Sequence, residues 1–87
     1  MRLDRIEGEE DVLVDVIMCS ENPALNDTSL SCRAVDVSEA GMLMTSGLDF
    51  PVHTVLGLLL DLSSVLYRFE AQVRWAREAC TTYVRFL

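Results

Sequence analysis

The segment Asp36-Val37-Ser38-Glu39-Ala40-Gly41 reads D-x-S-x-x-G and groups three residues with chemistry to offer. Asp and Ser side chains bond to nearby backbone in turns, and Gly admits a positive φ or the close approach of another backbone. On these residues alone, a turn between two strands accounts for the motif. Near the N-terminus, Arg2-Leu3-Asp4-Arg5 brings two guanidinium groups together as R-x-x-R. Cys19, Cys32 and Cys80 are odd in number and widely spaced, which argues against a disulfide framework. There is no CxxC, and His53 is the only histidine, too few ligands for a zinc site. Buried, reduced cysteines are the expectation. His53 has no Ser or Cys that the sequence sets beside it, and no phosphate loop occurs. The chain is read as a non-enzyme with no catalytic residue, metal or cofactor.

Composition bounds the partners. At 87 residues the chain is one domain. Hydrophobic residues make up 51%, which supplies the apolar surface that a folded core needs. Against 14 acidic residues stand 7 arginines and no lysine, for a net charge of −7. General DNA or RNA binding needs a basic face and is excluded on this balance. The acidity is concentrated in residues 1–21, with a net of −5, while residues 33–87 carry only −1. A small anion is therefore admissible wherever arginines cluster. The longest apolar run, Val55 to Leu60, is far short of the roughly 20 residues of a membrane helix. No apolar stretch follows Arg2 and Arg5 as a secretory signal would require. A cytoplasmic location without membrane insertion is expected.

The elements that must position these residues read as strands. Val65 to Trp75 alternates strictly, with Val65, Tyr67, Phe69, Ala71, Val73 and Trp75 on one side, as in a half-buried antiparallel strand. Trp75 and Tyr67 are accordingly expected in the core, with a stacking platform for a base as the functional alternative. Val55 to Leu62 precedes it, and Asp61-Leu62-Ser63-Ser64 reads as the turn of a hairpin. Val12, Val14, Val16 and Met18 form the buried side of a first strand. Ser20 to Ser29, with Pro23, Asn26 and Asp27, is a loop. Leu30 to Val37, Gly41 to Thr45 and Thr82 to Leu87 complete a set of six strands. Leu30, Cys32 and Ala34 share a face, which sets Arg33 outward near the motif. Met42 and Met44 are expected in the core, and Thr82, Val84 and Phe86 share one face of the last strand. The pattern predicts an all-β, six-stranded antiparallel barrel with little or no helix, closed because open edges invite aggregation. The expected division is a flexible segment over residues 1–10 and a barrel over 11–87.

Taken together, D-x-S-x-x-G between two strands, Ala71-Gln72-Val73-Arg74-Trp75 on a later strand and a closing strand ending Val84-Arg85-Phe86-Leu87 resemble the PilZ domain family. The resemblance covers about residues 10–87. It implies a six-stranded barrel, often with a C-terminal helix, that serves as a bacterial receptor for the second messenger cyclic di-GMP. The chain ends with the last strand, as a minimal member or a piece of a longer protein would.

What the resemblance implies about the site is specific. Arginines of an N-terminal R-x-x-x-R hold phosphates and guanine edges, a task suited to the planar fork of guanidinium. The D-x-S-x-x-G motif contacts a guanine, whose N1–H and N2–H donors a carboxylate accepts together. Asp36, Ser38 and Gly41 match this second half fully, with Gly41 leaving room for the base. Arg2 and Arg5 match the first half one residue short. Arg33, three residues before Asp36, reads as a plain surface arginine, with a substitute for the missing arginine as the functional alternative. The implied ligand-binding residues are Arg2, Arg5, Asp36, Ser38 and Gly41. The implied function is ligand-dependent protein interaction with a partner of unspecified identity. The alternative is a degenerate member that does not bind cyclic di-GMP and serves as an interaction or structural module.

Overall fold

The computed structural model describes residues 10–62, 64–77 and 81–87. Six strands account for most of them: β1 (Glu10–Met18), β2 (Ser29–Val37), β3 (Gly41–Thr45), β4 (Val55–Leu62), β5 (Val65–Arg77) and β6 (Thr81–Phe86). All neighbours pair antiparallel, and the order β1-β2-β3-β6-β5-β4 closes into a barrel. A single 3-10 turn, Pro23–Leu25, is the one helical element among the described residues. Closure leaves no strand edge to pair with another chain.

Alternation fills the interior as the pattern predicts. Val12, Val14 and Val16 of β1 meet Leu56, Leu58 and Leu60 of β4, and all six are buried. Met42, Met44, Ala71, Val73 and Val84 close the other side of the core. Each fully buried Val, Leu or Met contributes about 1.5–3 kcal/mol, most of it offset by the entropy of ordering the chain. Phe50 joins the core from the loop between β3 and β4, in which sequence patterning marks no core residue. The Thr54 hydroxyl donates to the Pro51 carbonyl at 2.6 Å and so holds that loop closed. His53 sits in this turn, exposed, with φ at 76°.

Three β-bulges interrupt the alternation, and each turns a side chain from the inside to the outside. A bulge inserts one extra residue, so the parity of everything beyond it reverses. In β1 the register shifts between Val16 and Met18, which leaves Met18 exposed at 59% rather than buried. In β2 it shifts between Ala34 and Asp36, so Val37 faces the core and Asp36 does not. In β5 it shifts between Val73 and Trp75, so Trp75 leaves the face of Val73. The core placement expected for Met18 and Trp75 is thus overturned by bulges that a strict period of two cannot contain. Val65 at 50% exposure is also outside the core, because it lies at the β4–β5 hairpin beyond the packed interior. Tyr67 and Phe69 pack against the core as expected, and Phe86 packs there too, stacked on Phe69 at 4.4 Å between ring centroids.

Candidate ligand-binding face

The D-x-S-x-x-G motif forms the β2–β3 hairpin. Ser38 closes it: its backbone N–H donates to the Gly41 carbonyl at 3.0 Å, and its hydroxyl donates to the same oxygen at 3.4 Å. The β2 bulge sets Asp36 opposite Leu43 on the outer surface, half-buried. Without that bulge, Asp36 would share the inward parity of Cys32 and Ala34. Gly41 is required by close approach. A Cβ there would lie 2.7 Å from the Tyr83 hydroxyl oxygen and would overlap the Val84 carbonyl. The room expected above Gly41 is therefore occupied, and its occupant is the Tyr83 phenol.

Tyr83 connects the motif to the rest of the face. Asp36 pairs with Leu43, Leu43 with Tyr83, and Tyr83 with Trp75. These four outward residues form one row across β2, β3, β6 and β5, about 14–15 Å from end to end at the usual strand spacing. The bulges in β2 and β5 lie at its two ends. Trp75 and Tyr83 stack at 5.6 Å with 17° between their planes. Arg77 lies over the Trp75 ring at 4.5 Å, a cation–π contact that orients the guanidinium across the same surface. A parallel row runs Arg33–Thr45–Thr81–Arg77, and Gly41–Arg85–Gln72 forms a third.

Three guanidinium groups, of Arg33, Arg77 and Arg85, therefore share one outer surface of an acidic protein. Arg33 reaches Asp11 at 3.9 Å, with both side chains well exposed, so their attraction is weak. The thiol of Cys32 lies beneath. Burial pushes its pKa up from 9.0 to about 11 against the opposing hydrogen bond of Ser46. It stays protonated at neutral pH and is no nucleophile. Among the described residues no group of three His, Cys, Asp or Glu is placed to hold a metal ion.

The structure thus sets Asp36, Ser38 and Gly41 together at one hairpin, with Arg33 on the same face. Arg2 and Arg5 lie outside the described residues. Tyr83, Arg77 and Arg85 join the face without having been singled out in the sequence. Their signal was available, since Tyr83 and Arg85 alternate with inward Thr82 and Val84.

Residues 15–87 match the PilZ domain family, and the chain belongs to it. The matched span starts after Arg2 and Arg5. In fold the chain is similar to the crystal structure of the PilZ domain of CeSA from a cellulose-synthesizing bacterium, with a TM-score of 0.69. The two share 13% sequence identity over 98% of this chain and 81% of that one. No curated protein matches the chain in sequence. Among the described residues no helix is long and apolar enough to cross a membrane.

Proposed function

We propose that the chain is a cyclic di-GMP receptor domain of the bacterial cytoplasm, with its ligand on the outer face of β2, β3, β6 and β5. The observation that carries this reading is the row Asp36–Leu43–Tyr83–Trp75, flanked by Arg33, Arg77 and Arg85. Guanine needs an acceptor for N1–H and N2–H, and the outward carboxylate of Asp36 is one. A purine ring needs a flat partner, and the Trp75–Tyr83 stack offers one. Two phosphates need guanidinium groups, which Arg33, Arg77 and Arg85 supply with Arg2 and Arg5 of the N-terminal segment. Ser38 and Gly41 hold the hairpin that presents Asp36. Ligand binding changes the surface offered to a protein partner, which gives the domain an adaptor's role rather than an enzyme's.

The spacing of Arg2 and Arg5, one residue short of R-x-x-x-R, favours a second reading. In it the domain keeps the fold, does not bind cyclic di-GMP and serves as an interaction or structural module. Calorimetry of the full chain with cyclic di-GMP, with GMP as control, separates the two. The first reading predicts saturable binding that Asp36→Ala weakens by about ten- to a hundredfold, the worth of a charge-assisted bond. No heat at millimolar ligand overturns it.

A further inference from the structure

A second outer face, formed by β1, β4, the near half of β5 and the first residues of β2, has a different chemistry. Leu13 pairs with Leu59, and Leu59 with Arg68; one residue-pair along, Asp15 pairs with Gly57, and Gly57 with Glu70. Gly57 has no side chain to fill its place, and a cleft of about 300 Å³ opens over it between Leu13, Asp15, Leu59 and Arg68. A second cleft of about 350 Å³ continues past Leu13 and Leu59 to Leu66, bounded by Asp11 and Asp61. Leu13 is 57% exposed and Leu66 64%. The β1 bulge adds Ile17 and Met18 to the same surface, where alternation would have buried Met18. Contiguous exposed apolar surface with a polar rim marks an interaction site, and methionine suits an adaptable one.

We infer that this groove docks an amphipathic, basic helix of a partner protein. The rim decides the charge: Asp11, Asp15, Asp61 and Glu70 surround the leucines, against Arg68 among them and Arg33, which reaches Asp11 from β2. A second copy of the chain would bring the same acidic rim against itself, on molecules that each carry −7. The barrel decides the geometry. Both β1 and β4 are paired on their two sides, so no edge is open for an added strand, and an occupant must dock through side chains. From Asp11 to Ile17 the groove runs about 20 Å, the length of about 13 residues of helix. The inference does not rest on the proposed nucleotide site, whose face adjoins this one where Arg33 reaches Asp11.

The test uses a fluorescein-labelled peptide of about 14 residues, helical in pattern, with leucines along one face and arginines on the rest. Controls are a scrambled peptide of the same composition and a version with glutamate for arginine. Anisotropy titrations with the full chain are expected to show saturable binding of the patterned peptide, at least about tenfold tighter than the scramble, and none of the acidic version. Leu13→Ser and Leu66→Ser, both surface changes that leave the core intact, are each expected to weaken it about tenfold. Asp36→Ala and Trp75→Ala are expected to leave it unchanged, which keeps failure here distinct from failure of the nucleotide reading. Equal binding of the scramble, indifference to Leu13→Ser, or a dimer in sedimentation equilibrium that Leu13→Ser dissolves would each overturn the inference.

Discussion

The two outer faces of this barrel share a core, a twist and even a strand, yet they present opposite chemistry. On β2, β3, β6 and β5 the outward residues are aromatic and cationic: Trp75, Tyr83, Arg33, Arg77 and Arg85 around Asp36. On β1 and β4 they are aliphatic and acidic: Leu13, Leu59, Asp11, Asp15 and Asp61. Within β5 alone, Arg68 and Glu70 belong to one face and Trp75 and Arg77 to the other. Each face also owes outward residues to a bulge, half-buried Asp36 and Trp75 on one and exposed Met18 on the other. The lesson is that a closed barrel decouples its inside from its outside. The core needs only apolar side chains at every second position, so the outward positions are free to differ in chemistry from one face to the next.

The two strand glycines give the sharpest contrast, and the largest expected effect. At Gly41 an added methyl would meet the β6 backbone and the Tyr83 hydroxyl, whereas at Gly57 its nearest neighbour would be Ile17 Cδ1 at 3.5 Å, an ordinary contact. Gly41→Ala is expected to destabilise the fold by about 2–3 kcal/mol and lower its melting temperature by roughly 10–20 °C. Gly57→Ala is expected to be neutral or stabilising by about 0.5 kcal/mol. Thermal and urea melts followed by circular dichroism measure both.

Next in size is the effect of the aromatic stack on nucleotide affinity. Trp75→Ala removes a stacking partner worth about 1–3 kcal/mol, so the dissociation constant for cyclic di-GMP should rise about five- to a hundredfold. Leu66→Ser, on the other face, should not change it. A smaller loss, about 1 kcal/mol, is expected for Arg85→Ala, with a weaker dependence of affinity on salt than in the parent chain. Titrations at two ionic strengths measure that slope.

An effect confined to alkaline pH is expected at Cys32, which is buried in the core. Its folded pKa of about 11 stands above the ordinary 9.0. Below pH 9 both folded and unfolded chains keep the proton, and its contribution to stability is constant. As pH rises from 9 towards 11 the unfolded chain releases a proton that the folded chain retains, so stability falls. Urea melts across that range should show the fall, and Cys32→Ala should remove the part of the slope that Cys32 carries.

The strands were legible in the sequence because burial on one side forces a period of two. Thus the buried side of Val12, Val14 and Val16 follows from pattern alone, whereas their pairing with Leu60, Leu58 and Leu56 emerges only in the fold. The D-x-S-x-x-G hairpin was legible because Asp, Ser and Gly have turn chemistry that few other residues share. Trp75 and Met18 were misplaced because a bulge costs one residue and leaves no compositional mark. Phe50 lies outside any pattern because a core residue on a loop has no periodicity to reveal it. Tyr83 went unnoticed because its role is defined by Gly41 and Trp75, which meet it only after β3, β5 and β6 have paired.

The most direct test of the central claim is an amide chemical-shift titration of the full chain with cyclic di-GMP. The account predicts saturable shifts gathered on Asp36, Ser38, Gly41, Tyr83, Trp75 and Arg85, with Leu13, Gly57 and Leu59 silent. Shifts centred on β1 and β4 instead, or no saturable shift at millimolar ligand, would contradict it.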